Sequence, residues 1–288
     1  MNRPRRFPNL TGPYLGQTPP TDKPLLFAPG IVSDGQNHSS VAISPDGEEL
    51  YWSSGAKGAG MKIWFTQVVR DRWTQPQVVP FCGEDADDYD NPFVTPDGSK
   101  LFFTTTRPGA VSQKKETIWY ADRAPSGWSD PKPVGPKVNE LPVHWSISVS
   151  GAGTLYFPFQ NANGELPGGL GAIYSSRWVN GAYTEPVSLG PAINTPATET
   201  CPHIAPDESY VVFTRFDMTN PNNTGIFISY RDESGSWLPA VMAEGGSRER
   251  GGLSPRISPD GKYLFYVSAG VWWMPAGFIE ALRPQRNL

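Results

Sequence analysis

The 288-residue chain predicts an all-β fold, a five-bladed β-propeller built of four-stranded antiparallel blades. Three observations carry that expectation. A turn of the Ser-Pro-Asp-Gly kind recurs about every fifty residues, each copy leads into a leucine-aromatic or β-branched strand, and a lone strand near the N-terminus matches the one strand that the last repeat lacks. A strand-rich period of that length is the mark of propeller blades.

The turns are Ser44-Pro45-Asp46-Gly47, Thr95-Pro96-Asp97-Gly98 and Ser258-Pro259-Asp260-Gly261, with weaker copies at Ser150-Gly151-Ala152-Gly153 and Ala205-Pro206-Asp207-Glu208. Proline presets φ at the second position, and glycine suits the exit of a type I turn. Counted at their second residues, the copies stand 51, 55, 55 and 53 residues apart. Short apolar runs flank each turn, as in Ser40-Val41-Ala42-Ile43 before the first and Leu50-Tyr51-Trp52 after it, so each unit reads as a β-hairpin. The third and fourth turns depart from the motif, which leaves their local turn type open.

In chain order, residues 1–22 form a Pro-rich arm, 23–275 a single propeller domain, and 276–288 a tail with a short helical turn that packs beside the ring's seam. A third strand follows each hairpin: Ile63-Trp64-Phe65, Ile118-Trp119-Tyr120, Ile173-Tyr174 and Ile226-Phe227-Ile228. Fourth strands then open on aromatic-x-x-Pro at Trp73, Trp128 and Tyr183, a setting where an outermost strand tolerates proline. The fifth repeat stops after Val271-Trp272-Trp273, and residues 23–33 supply its missing strand, so that no sheet edge is left unpaired at the seam.

Composition narrows the function classes. The 30 glycines and 31 prolines make a turn-rich chain, while 38% apolar residues still fill cores between sheets. A net charge of −4 without basic clusters argues against nucleic acid as partner. No apolar run approaches the roughly 18 residues that cross a bilayer. Arg3, Arg5 and Arg6 precede no apolar segment, so the start is not an intact signal peptide; the chain is cytoplasmic if Met1 is the native start, and periplasmic or secreted if a leader was removed. Cys82 and Cys201 fall in different repeats and suggest no disulfide framework.

These repeats resemble the WD-like repeat of TolB-type propellers, on the Ser-Pro-Asp-Gly turn followed by a leucine-aromatic strand, over nearly the whole span from Pro24 to Trp273. The likeness extends to a standalone bacterial group of such propellers through His38-Ser39-Ser40, His144-Trp145-Ser146 and the stretch Ala205 to Tyr210. It implies the fold. For function it implies either an enzyme or a scaffold of the TolB kind in envelope complexes.

Candidate chemistry comes from aligning the first strands, which line the axis of a propeller. Seven residues before the turn marker stand His38, Tyr89, His144, Glu199 and Gly252; five before stand Ser40, Asn91, Ser146, Cys201 and Ser254; three before stand Ala42, Phe93, Ser148, His203 and Arg256. Alternation within a strand puts this odd set on one side, toward the channel, and it holds all three histidines. The expected catalytic group is therefore His38 and His144 as proton carriers, Glu199 and Asp90 as carboxylate partners and Tyr89 as a hydrogen-bonding aid. Trp145, Arg250, Arg107, Ser40, Asn91, Ser146, Cys201 and His203 are the expected ligand contacts, with Arg250 for an anion. Gly252, lacking a side chain, would leave an opening between blades five and one. The rim loops are 55–60, 107–115, 161–169 and 217–223.

The same ring admits other readings. A polar axis filled by groups that pair with one another needs no catalysis. His38, His144 and Glu199 suit zinc or a similar divalent ion, though no His-Glu-x-x-His motif supports it, and no cofactor is required. Cys201 could be a nucleophile beside His203 or His144, but a small channel-lining residue accounts for it as well. The tryptophans at fixed repeat positions read as core between blades, and the turn aspartates as backbone caps. The preferred function is a monomeric enzyme that processes a small molecule or glycan by hydrolase, lyase or cyclase chemistry. The alternative is a non-catalytic propeller that binds a ligand or a protein partner.

Overall fold

The computed structural model describes residues 7–83, 87–110, 116–143, 145–160, 171–243 and 252–285. Five antiparallel sheets of four strands follow one another as blades. Blade one comprises Asn37–Ile43, Glu49–Gly55, Lys62–Val69 and Gln77–Val78, and blade two Tyr89–Val94, Lys100–Thr105, Thr117–Ala124 and Lys132–Pro133. Blade three is made of Ser148–Val149, Leu155–Gln160, Gly171–Ser176 and Val187–Ser188, and blade four of Thr198–Ile204, Tyr210–Phe216, Gly225–Tyr230 and Val241–Met242. Blade five has Leu253–Ile257, Tyr263–Val267 and Val271–Pro275, completed by Leu25–Leu26 from the far end of the chain.

All five hairpin turns share one geometry. The fourth turn residue donates its N–H to the first residue's carbonyl at 2.8–3.0 Å in every blade, including the two that depart from the motif. Gly47, Gly98, Gly153 and Gly261 hold φ between 70° and 80° there, and in the fourth turn Glu208 takes φ 60° instead. Glu208 is held in that costly conformation by Arg231, 3.1 Å away. The aspartates cap as expected: Asp46, Asp97, Asp207 and Asp260 each accept the backbone N–H two residues on.

Fourth strands differ from expectation in where they start. Trp73, Trp128 and Tyr183 lie in two-residue hairpin wings on the far end of the third strand, and the outer strand begins only after the proline. The proline lacks an N–H for the ladder, so pairing resumes beyond it. In blades two and three an asparagine extends the ladder instead. Asn139 and Asn194 each accept from and donate to the backbone of Ile118 and Ile173, at 2.8–3.0 Å.

Ring closure rests on side chains more than on ladder bonds. Leu25 and Leu26 pair with Trp273 and Trp272, and Phe27 N–H bonds the Val271 carbonyl at 2.8 Å. Phe27 is fully buried, with its ring 5.0 Å from Phe265 and 5.3 Å from Trp273. The arm ahead of it packs on the same seam: Leu15 is buried, Tyr14 meets the Tyr263 ring edge to face at 5.3 Å, and Trp73 Nε1–H donates to the Gly12 carbonyl at 2.8 Å. The tail helix, Phe278–Ala281, corrects the expectation that it packs beside the seam. It lies on the other flank of blade five, against blade four, where Tyr230 Oη–H donates to the Ile279 carbonyl at 2.6 Å.

Candidate functional site

The innermost strands do not keep strict alternation. Between His38 and Val41, Asp90 and Phe93, Thr200 and His203, and Leu253 and Arg256, the strand carries one residue more than its partner. Such a bulge reverses which side chains face a given side beyond it. The residues inside it, Asn91, Cys201 and Ser254, take φ of 50–53°. The expected odd set is therefore split. Its loop-end and turn-end members belong to two different environments.

At the loop end, the His38 side chain is 1% exposed, and its Nε2 stands 3.1 Å from Asp34 Oδ1 without hydrogen-bond alignment. Ser39, one residue on, donates its hydroxyl to Asp90 of the next blade. Asp90 also accepts the Asn91 N–H at 2.7 Å, and burial pushes its carboxyl up against the pull of the Ser39 and Ser53 hydroxyls. Tyr89 is buried in the core between blades one and two, with Lys62 Nζ 4.8 Å over its ring. Arg107 lies over the Trp119 ring at 4.6 Å. Trp145 is 38% exposed, its ring 6.4 Å from Phe216. His144, Arg250 and the 161–169 loop lie outside the described residues. Gly252 is buried, and its carbonyl accepts the Thr214 hydroxyl of blade four at 3.2 Å.

Glu199 is engaged by its neighbours on both oxygens. Oε1 accepts Arg215 Nε at 2.7 Å and the Thr195 hydroxyl at 2.6 Å, while Oε2 accepts the Thr195 N–H at 2.9 Å. Among the described residues, neither Asp90 nor Glu199 bonds to His38, and no three His, Cys, Asp or Glu side chains converge as a metal ion requires. In the middle of the axis, Cys201 is buried with Ser254 Oγ at 3.5 Å from its sulfur. Ser40 Oγ and Asn91 Oδ1 are buried there without a partner among the described residues.

The turn end is where the axial residues meet. Arg256 reaches from blade five across the axis to blade three, donating to Ser146 Oγ and, at 2.7 Å, to the Ile147 carbonyl; a third bond runs to the Pro202 carbonyl of blade four at 3.2 Å. Its guanidinium lies 5.4 Å from the Phe93 ring of blade two, which is itself 6.2 Å from His203 of blade four. Contacts between non-adjacent blades close the channel at this level. Beneath them a cavity of about 260 Å³ has His203 and Arg256 at its inner end, apolar walls that include Val41, Ala42 and Phe265, and Pro45, Pro96, Pro206 and Pro259 at its mouth.

Burial, with Arg256 adding to it, pushes the His203 imidazole down to about 3. The sign follows. Above pH 6.5 neither the folded nor the unfolded chain protonates this residue, and between 6.5 and 3 only the unfolded chain does, so acid favours unfolding. At pH 4 the loss from this one group is about 3 kcal/mol. His203→Phe is expected to remove that share of the acid sensitivity, measured as urea unfolding at pH 7 and pH 4; an unchanged pH slope would contradict it.

The sequence marks His203 as a ligand contact and aligns Arg256 with it without indicating a role. The charge at an axial position three before the turn's second residue, beside a histidine at the same position one blade earlier, is the available signal.

No protein-family model matches the sequence, and neither does any curated protein sequence. Solved structures do. TolB from Acinetobacter baumannii superposes with a TM-score of 0.54 at 14% identity, over 83% of this chain and 54% of that one, so this chain spans about half the length of that relative. A putative TolB from Agrobacterium tumefaciens gives 0.53 at 18% identity, over 84% and 71%. An endo-arabinase from Bacteroides thetaiotaomicron gives 0.53 at 14% identity, over 85% and 95%. At such identities the likeness establishes the propeller fold alone, and that fold serves scaffolds and enzymes alike.

Proposed function

We propose that this chain is a non-catalytic binding propeller, a scaffold of the TolB kind, whose ligand enters the axial cavity from the turn end. One observation carries the reading: the axial groups that converge do so at the floor of an apolar-walled cavity, in contact with Arg256 and His203. A concave apolar site with a few convergent polar groups is the usual form of a small-ligand site. The expected catalytic carboxylate Glu199, by contrast, is occupied by Arg215 and Thr195.

A second reading, acid–base chemistry at the loop end, is favoured by the closeness of His38 to Asp34 and by the raised carboxyl of Asp90.

One experiment separates the two. A fluorinated fragment library, neutral and charged, is screened by 19F NMR against the wild type, Ala42→Phe and His38→Ala. Ala42 lines the cavity and is 7% exposed, so a phenyl group there fills the space. Bound fragments are expected to weaken at least tenfold in Ala42→Phe, to persist in His38→Ala and to be recovered chemically unchanged. Binding that survives Ala42→Phe and fails in His38→Ala, or turnover that needs His38, would overturn the binding reading.

A further inference from the structure

We propose that the turn-end cavity recognises a small monoanion, a carboxylate carried on a compact apolar body, with the carboxylate docked on Arg256 and His203. The inference rests on the binding reading above and adds the chemical class of the ligand.

Arg256 is 4% exposed, and its hydrogen-bond partners are three neutral oxygens, on Pro202, Ser146 and Ile147. Among the described residues no carboxylate pairs with it, and its Nε has no partner. Arg215, equally buried one strand away in blade four, has Glu199 at 2.7 Å. A buried cation without a counter-charge is costly, and in most folds it is paired. Burial lowers the Arg256 guanidinium to about 10, which leaves it charged at neutral pH. The fold therefore presents a positive charge where an anion would relieve it.

His203 refines the choice of anion. Its Nδ1 is buried without a partner among the described residues, and its ring lines the same cavity. A neutral imidazole adds one donor and no second positive charge. One cation with one neutral donor matches a carboxylate, whose single charge a guanidinium binds well. A doubly charged phosphate monoester would be left half compensated in a low-dielectric site.

The cavity walls select the rest of the molecule. Val41, Ile43, Ile257 and Phe265 line the approach, and about 260 Å³ lies just under the usual range of roughly 300–1,000 Å³ for small-molecule pockets. The space suits a short aliphatic or single-ring acid better than a sugar acid, whose hydroxyls would meet hydrocarbon without partners.

The test uses matched pairs: hexanoate with hexanamide, and phenylacetate with phenylacetamide, plus phenyl phosphate. Each is titrated into the 15N-labelled full chain at pH 7 and followed at cavity residues including Phe93, His203 and Phe265. The acids are expected to bind at least tenfold tighter than their amides and than phenyl phosphate, and Arg256→Met is expected to abolish the preference for acid over amide. Should Arg256→Met fail to fold, the wild-type melting temperature decides: the acids raise it and the amides do not. Equal binding of acid and amide at the cavity overturns the anion inference while leaving the binding reading in place. Absence of any shift at cavity residues, with neutral fragments also failing to bind there, overturns both.

Discussion

Phe27→Ala is expected to lower the unfolding free energy by about 3–5 kcal/mol, the range for losing a buried phenyl group. The closing strand pairs only through Leu25 and Leu26, with one more backbone bond from Phe27, so the ring depends on the Phe27 side chain as its anchor. Phe27 is fully buried between Phe265 and Trp273, and its loss leaves a cavity that these large rings cannot easily refill. Leu25, at 40% exposure, is the control on the same strand, and Leu25→Ala is expected to cost less than about 1 kcal/mol. Urea unfolding followed by tryptophan fluorescence measures both. Limited proteolysis of Phe27→Ala should cut first near the seam. A loss below about 1 kcal/mol for Phe27→Ala would mean that the arm around Leu15 closes the ring without it.

Glu199→Ala is the second large expectation. Removing the carboxylate leaves Arg215, 5% exposed, with the Ile193 carbonyl and the Phe227 and Phe213 rings, and breaking a buried pair from one side costs about 3–5 kcal/mol. Glu199→Leu/Arg215→Met should recover most of that loss, since an apolar pair of similar bulk is often neutral. A residue kept for catalysis would behave in the opposite way, losing activity with little change in stability. If the single variant unfolds at the wild-type urea midpoint, the pair is not structural, and the loop-end reading of Glu199 gains ground.

The parts of the architecture that are local were legible in the chain. Proline, aspartate and glycine at fixed turn offsets act within four residues, and the recurrence of Leu101-Phe102-Phe103 after one turn and Leu264-Phe265-Tyr266 after another exposes the blade count. The orphan strand was readable for the same reason, as a missing item in a regular pattern of strands. The site was only partly readable. Alternation puts His38, Tyr89 and Glu199 on one ring, whereas the structure sets Tyr89 in the core between blades one and two and Glu199 against Arg215; a bulged residue such as Asn91 or Cys201 carries no distinct sequence mark, because asparagine, cysteine and serine all fill that position. Arg256 reaches Ser146 across 110 residues of chain, a contact that exists only once the blades surround an axis. Asn139 and Asn194 had a signal that was missed: Pro136-Lys137-Val138-Asn139 and Pro191-Ala192-Ile193-Asn194 repeat 55 residues apart, the spacing of the blades themselves.

Joining Leu25 to Trp273 also sets the order in which the molecule can be made. On the ribosome the strand that completes blade five emerges first and waits until nearly 250 further residues have been translated. Until then the nascent chain carries two unmatched edges, so the closing step is a late, long-range event with a slow rate and an exposure to mispairing. A circular permutant opened between blades, with residues 25–26 placed directly after residue 275, would turn that event into a hairpin closure and is the version expected to refold faster.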